Sequence, residues 1–208
     1  MLARLCLAST SPRRHELLSQ LGLQFSILAF RTGDRADFDT DETPYENEDA
    51  LHYVERIALS KAEAGVRRLA WRDMPLQTVL AADTIVLMDG EIFGKPKDEA
   101  DAIRMLTALC GNTHQVYTAI AASNGRKTRS IVQCNHVTLA PLSREHIRQY
   151  VERGESYDKA GAYAVQGFAA AFIRHIEGSY SGIMGLPLFE TCELLAEFGH
   201  DVLDTIRH

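Results

Sequence analysis

Two adjacent arginines in what reads as the first turn of a helix are the residues that most plainly call for chemistry. In Leu7-Ala8-Ser9-Thr10-Ser11-Pro12-Arg13-Arg14-His15-Glu16-Leu17-Leu18, a short apolar run breaks at a small polar turn and restarts behind a Ser-Pro pair. Ser11 suits the N-cap and Pro12 the first helical position, because the cap oxygen accepts from an orphan N–H and proline has none to satisfy. Cations in that turn oppose the partial positive charge of the helix end unless an anion sits there as well. Backbone amides, the Ser9 and Ser11 hydroxyls and the Arg13 and Arg14 guanidiniums therefore suggest a bound phosphate. An ordinary helix start with two solvated arginines is the alternative.

A second demand comes from Asp83, which interrupts Val79-Leu80-Ala81-Ala82-Asp83-Thr84-Ile85-Val86-Leu87, otherwise a buried strand. An unpaired buried carboxylate costs several kcal/mol, so a partner cation or a metal is expected beside it. The alternative is a strand-end aspartate bonded to backbone amides. Lys95, in the turn Lys95-Pro96 after a short returning strand, places a second cation near the strand ends, though a turn lysine is commonly solvated. Lys61 lies near the apolar face of its helix, where a snorkelling lysine is the common, bland reading. Among the crowded acids of Asp34 to Asp49, one or two could supply oxygen ligands to magnesium, which takes a few carboxylates, water and phosphate oxygens. His114 could act in catalysis or serve as a hydrogen-bonded strand-start residue.

Elements that would position these groups follow from periodicity and punctuation. Strands are expected over Leu2 to Ala8, Gln24 to Ala29 and Thr78 to Met88, then an Asp89-Gly90 turn and a return over Glu91 to Gly94. Long strands over His114 to Ser123 and Ser130 to Leu139 flank Asn124-Gly125. Helices are expected over Pro12 to Leu21, closed by Gly22, and over Ala50 to Leu69, with Leu51, Val54, Ile57, Ala58 and Ala62 as the buried stripe. Further helices run from Asp98 through Leu109, from the Ser143 cap through Val151, and near Pro187 to Phe198. Arg31 to Asp49 reads as a mobile loop. Beyond the glycine-rich Gly161 to Gly167 lie an apolar run, Phe168 to Ile176, and a Gly/Ser turn.

The 208 residues suffice for one domain, or two packed lobes, with a sizeable core. A net charge of -6 argues against general nucleic-acid binding, which needs a basic face. Cys6, Cys110, Cys134 and Cys192 are scattered, with no zinc spacing, which fits free thiols in a reducing cytosol. No signal pattern and no membrane-length apolar run is present, so a soluble cytoplasmic protein is expected.

LASTSPRRHELL, ERIALSKAEAG, AADTIVLMDGEIFGKPKD, GNTHQVYTA and DKAGAYAVQG follow one another in the order and approximate spacing of the Maf family of nucleoside triphosphate pyrophosphatases. The chain strongly resembles that family from about Leu5 to about Leu195. The resemblance implies a single domain over residues 1–208 with an ITPase-like α/β fold: a long mixed sheet flanked by helices, with an active-site cleft between two lobes. It also implies a homodimer and a divalent cation, Mg2+ with Mn2+ or Co2+ as alternatives. The substrate would be a nucleoside triphosphate cut between its α and β phosphates.

Carried over by residue, the resemblance puts Ser9, Arg13 and Arg14 at the phosphate turn, with Lys61 and Lys95 as further phosphate contacts and Lys95 also in the catalytic set. Asp83 falls on the catalytic aspartate. Glu42 falls on its acidic, metal-holding partner when counted back from Lys61. The loop from Phe30 to Asp41 is longer than is usual, so Asp41 and Glu46 remain alternatives. A non-catalytic, nucleotide-sensing regulator of cell division is the rival reading, suggested by the family's link to septum inhibition. A purine-directed pyrophosphatase is a second.

Asp158 to Gly167 resembles the subgroup acting on dTTP and UTP, whereas another subgroup carries glutamate where Gln166 stands. An amide offers one donor and one acceptor, which can match the N3–H and carbonyl of uracil or thymine. A carboxylate only accepts and suits the paired donors of guanine. The bland alternative is that Gln166 orders its loop.

Overall fold

The computed structural model describes residues 4–28 and 41–202. Leu2, Ala3 and Ala29 of the expected strands, and residues 31–40 of the loop expected over Arg31 to Asp49, lie outside those residues. The described elements are β1 (Leu5–Leu7), α1 (Pro12–Gln20), β2 (Phe25–Ile27), α2 (Ala50–Trp71), β3 (Thr78–Met88) and β4 (Glu91–Phe93). They continue with α3 (Glu99–Leu109), β5 (Thr113–Ser123), β6 (Thr128–Leu139), α4 (Arg144–Glu152), β7 (Ile173–Glu177), α5 (Tyr180–Ile183) and α6 (Leu188–Ala196).

The strands form one seven-stranded mixed sheet in the order β2-β1-β3-β5-β6-β7, with β4 on β3. β1 runs parallel to both β2 and β3, while β3–β4 and β6–β7 are antiparallel. This is the mixed α/β architecture that the family resemblance implied.

Two compact units divide the chain. The first holds the described residues through Asp83, residues 118–133 and those from Gly185 onward; the second holds Thr84–Tyr117 and Cys134–Met184. In the first unit Leu5, Leu7, Val79 and Leu80 are buried, and α2 covers them with Val54, Ile57, Ala58, Ala62 and Leu69. Leu51, expected on that stripe, stays exposed because it lies in the first turn of α2. Gly65 lets α2 come close. A Cβ there would lie 2.6 Å from Val79 Cγ1 and 3.4 Å from Ala8 Cβ, so no larger residue fits without moving helix from strand. Since Lys61 is one turn earlier, that close approach also fixes the height of Lys61 above the sheet.

In the second unit Phe93, Met105, Leu106, Leu109, Ile147, Tyr150, Tyr163 and Phe172 pack into one core. Asp98 caps α3 by accepting from Asp101 N–H at 2.8 Å, and Ser143 caps α4 by accepting from His146 N–H at 3.2 Å. The apolar run Phe168 to Ile176 resolves into a 3-10 turn over Phe168–Phe172 followed by β7. Where only a Gly/Ser turn was expected, Ser179 accepts from Gly182 N–H at 3.1 Å and starts the four-residue α5. All four cysteines are free thiols. Among the described residues, no helix is long and apolar enough to cross a membrane.

Candidate active site

Asp83 sits at the middle of β3, where burial lapses: both Asp83 and Thr84 are half-buried between fully buried neighbours. Its carboxylate meets the cation that the strand context demanded. Lys61 Nζ donates to Asp83 Oδ1 at 2.8 Å, and side-chain exposures of 16% and 15% place the pair largely out of water. The same ammonium lies 2.7 Å from Glu42 Oε1, on a side chain 53% exposed. One lysine therefore gathers two carboxylates from a strand and a loop. Lys61 is an ion-paired residue here, and snorkelling does not describe it. Of the three loop acids considered, Glu42 is the one at Lys61; Asp41 instead accepts from Thr43 N–H at 2.9 Å.

The turn between β1 and α1 is built differently from its N-cap pattern. Ser11 occupies the cap position, but its side chain makes no capping hydrogen bond. The buried Ser9 hydroxyl instead accepts from Ser11 N–H at 3.1 Å, and the Ser9 carbonyl accepts from His15 Nε2 at 2.8 Å. Arg14 donates from Nε to the Gly185 carbonyl at 2.8 Å and from Nη1 to the Ala82 carbonyl at 2.9 Å. It therefore has a main-chain reason to stand at a helix N-terminus that owes nothing to an anion. Burial pulls its guanidinium below the ordinary arginine range, opposed by the Asp83 charge nearby. Arg13 is half-buried in the same first turn.

Lys95 and Gln166 belong to the second unit, and both are exposed. The Gly94 carbonyl, just before Lys95, accepts from Gly161 N–H at 3.1 Å, which ties the lysine's turn to the glycine-rich segment. Gln166 stands in a tight turn closed by Gly167 N–H donating to the Ala164 carbonyl at 2.9 Å. That turn is pinned on both flanks: Ala164 N–H donates to Tyr150 Oη at 3.2 Å and Phe168 N–H to Glu155 Oε2 at 2.9 Å. Burial pushes the Tyr150 phenol up to about 12, so it remains a hydroxyl at neutral pH.

His114 takes the structural role. It is 2% exposed, with Nε2 2.8 Å from the Tyr163 hydroxyl, and burial pushes its imidazole down to about 4. The folded state disfavours its protonated form, while the unfolded chain takes up the proton near the ordinary 6.5. Its contribution is thus complete above pH 6.5 and is lost as pH falls towards about 4, by up to about 3 kcal/mol. Urea melts between pH 7.5 and 5 should show a shallower stability slope in His114→Gln than in the parent chain. Equal slopes would remove His114 as the source.

The donor chemistry fits a hard divalent cation. Two carboxylates converge on one positive centre, 2.8 and 2.7 Å from Lys61 Nζ, and oxygen donors completed by water and phosphate are what magnesium takes. Among the described residues, no group of three or more His, Cys, Asp or Glu side chains is arranged to hold a metal. Asp83 and Glu42 are the carboxylates here that could hold such an ion, with substrate and water oxygens completing its shell.

The sequence profile described as Maf-like protein matches residues 4–198. The chain belongs to that family. Among curated relatives, a dTTP/UTP pyrophosphatase of Aromatoleum aromaticum is 56% identical over 95% of this chain and 97% of its own length. A dTTP/UTP pyrophosphatase of Dechloromonas aromatica is 48% identical over 94% and 98%. One of Nitrosomonas europaea is 50% identical over 94% and 95%. The solved structure of the Staphylococcus aureus Ham1 protein is similar at TM-score 0.46 and 20% identity, over 66% of this chain and 72% of that one.

Proposed function

We propose that this Maf protein hydrolyses dTTP and UTP to the nucleoside monophosphate and pyrophosphate, clearing these and related pyrimidine nucleotides from the pool. The convergence of Asp83 and Glu42 on Lys61 carries the chemical part of the reading, and the similarity to dTTP/UTP pyrophosphatases carries the substrate part. We take residues 1–208 as one functional domain, working as a cytoplasmic homodimer with no nucleic-acid polymer as partner. The net charge of -6 supports the last of these.

Hydrolysis at the α phosphorus forms a bond from water oxygen to phosphorus, breaks the bond to the bridging oxygen, and releases pyrophosphate. It needs an oriented water and neutralised phosphate charge. Asp83 orients the water and accepts its proton. Lys61 engages Asp83 Oδ1, holding the carboxylate in one orientation for that transfer. Asp83 and Glu42 would hold a divalent cation, which when bound would supply charge neutralisation on the phosphates. Ser9 and the α1 N-terminus receive phosphate oxygens, Arg13 and Arg14 add positive charge beside them, and Lys95 stabilises the leaving pyrophosphate. Gln166 reads the pyrimidine edge.

Pyrophosphate release measured over a nucleotide panel, with Mg2+, Mn2+ and Co2+ in turn, tests the reading; no release from dTTP or UTP with any of them overturns it. Within the same assay, Arg13→Ala and Lys95→Ala should lower turnover of UTP and dTTP alike. Each removes a charge that acts on phosphate, and phosphate is common to both substrates. A loss confined to one base would move the residue out of the phosphate site.

A further inference from the structure

The described loop residues ahead of α2 are held by a knot of side chains that the proposed reaction leaves unused. Arg56 donates from Nε to Glu48 Oε1 at 2.6 Å and from Nη2 to Glu48 Oε2 at 2.7 Å, a two-point fork. Nη2 also donates to the Thr43 carbonyl at 3.1 Å. The guanidinium carbon lies 3.9 Å from the Tyr45 ring centroid and 5.5 Å from that of Tyr53. Glu48 Oε2 accepts in addition from Tyr45 N–H at 3.0 Å, and Tyr53 Oη donates to the Glu42 carbonyl at 2.9 Å. The carbonyls of Glu42 and Thr43 are thus both held from α2, the helix that also carries Lys61.

Tyr45 is 62% exposed at the outer edge of this knot, while the paired Arg56 and Glu48 side chains are 24% and 8% exposed. What the knot controls is where Glu42 sits. The exposed salt bridge with Lys61 then brings that carboxylate beside Asp83. The geometry points to Arg56 and Tyr53 as positioning residues that hold the Glu42 carboxylate at Lys61 and Asp83 without touching substrate. This inference rests on the catalytic role proposed for Glu42. A lysine cannot reproduce the fork or the stacked plane, so Arg56→Lys is the discriminating change.

A double-mutant cycle on the full-length chain decides it, with Arg56→Lys, Glu42→Gln and the combined variant assayed for pyrophosphate release from UTP. In the parent, Arg56→Lys should lower kcat by at least about tenfold, the scale of a misplaced catalytic group, with the circular dichroism spectrum retained. In the Glu42→Gln background the same change should alter kcat by less than about twofold, because the residue it positions has already lost its charge. Glu48→Gln and Tyr53→Phe should repeat the pattern more weakly. Equal losses in both backgrounds would mean a general structural role and overturn the inference, as would a silent Glu42→Gln. Parent activity on UTP separates both of these from failure of the function itself, in which case no variant has activity to lose.

Discussion

Asp83→Asn is expected to lower turnover of UTP and dTTP by about 10²–10⁴-fold, the range associated with losing a positioned proton acceptor, while leaving the fold intact. The amide is nearly the same shape, and its oxygen can still accept from Lys61 Nζ where Oδ1 now does at 2.8 Å. Lys61 also keeps a counter-charge, since Glu42 Oε1 lies 2.7 Å from the same nitrogen. No buried cation is orphaned, and the desolvation cost of one carboxylate disappears, so stability should hold or rise. Thermal melts should therefore shift little while pyrophosphate release collapses. Activity within a few-fold of the parent would remove Asp83 from the chemistry, and a large fall in melting temperature would make its role structural instead.

The two arginines that open α1 show how far the sequence could be read and where it stopped. Their placement against the helix dipole was an anomaly visible in the residues alone. Its resolution for Arg14 was not, because one of its acceptors, the Gly185 carbonyl, is 171 positions away. A phosphate and a carbonyl make the same demand on a guanidinium, so the residues alone could not show that Arg14 also serves the backbone.

Asp83 was more legible. A carboxylate inside an apolar strand calls for a partner, and Lys61 was visible near the apolar face of its helix without being matched to that carboxylate. What the sequence lacked was the register of α2 over β3, which the close approach at Gly65 supplies. Glu42 could be placed only by counting back along a loop, because loop carboxylates have no periodicity to mark the one that turns inward. The Arg56 knot escaped for a related reason. Arg56 lies on a helix of clear period, but Glu48 and Tyr45 precede its N-terminus, where no helical spacing relates them to it. At Ser11 a favourable cap residue is present without a side-chain capping bond, while its own N–H donates to the Ser9 hydroxyl at 3.1 Å.

Gln166→Glu should lower kcat/KM for UTP and dTTP and narrow or reverse the preference against guanine nucleotides. Gln166 is exposed at the tip of a turn whose flanks are pinned by the Tyr150 hydroxyl at 3.2 Å and by Glu155 Oε2 at 2.9 Å. Those two bonds reach backbone N–H groups at positions 164 and 168, so neither depends on the side chain at 166. Replacing amide by carboxylate should leave the turn as it is and alter only what it presents. With the amide, one donor and one acceptor face a pyrimidine edge that offers an acceptor and a donor. With the carboxylate, an acceptor faces a carbonyl, a mismatch of about 1–3 kcal/mol, or roughly 5- to 150-fold in kcat/KM. The same carboxylate can accept from both donors of a guanine edge, so GTP should lose less than UTP or gain. Measuring kcat/KM for UTP, dTTP and GTP with both proteins separates the outcomes. A uniform fall on every base would place Gln166 in catalysis or loop order, and no change would place base reading elsewhere in the chain.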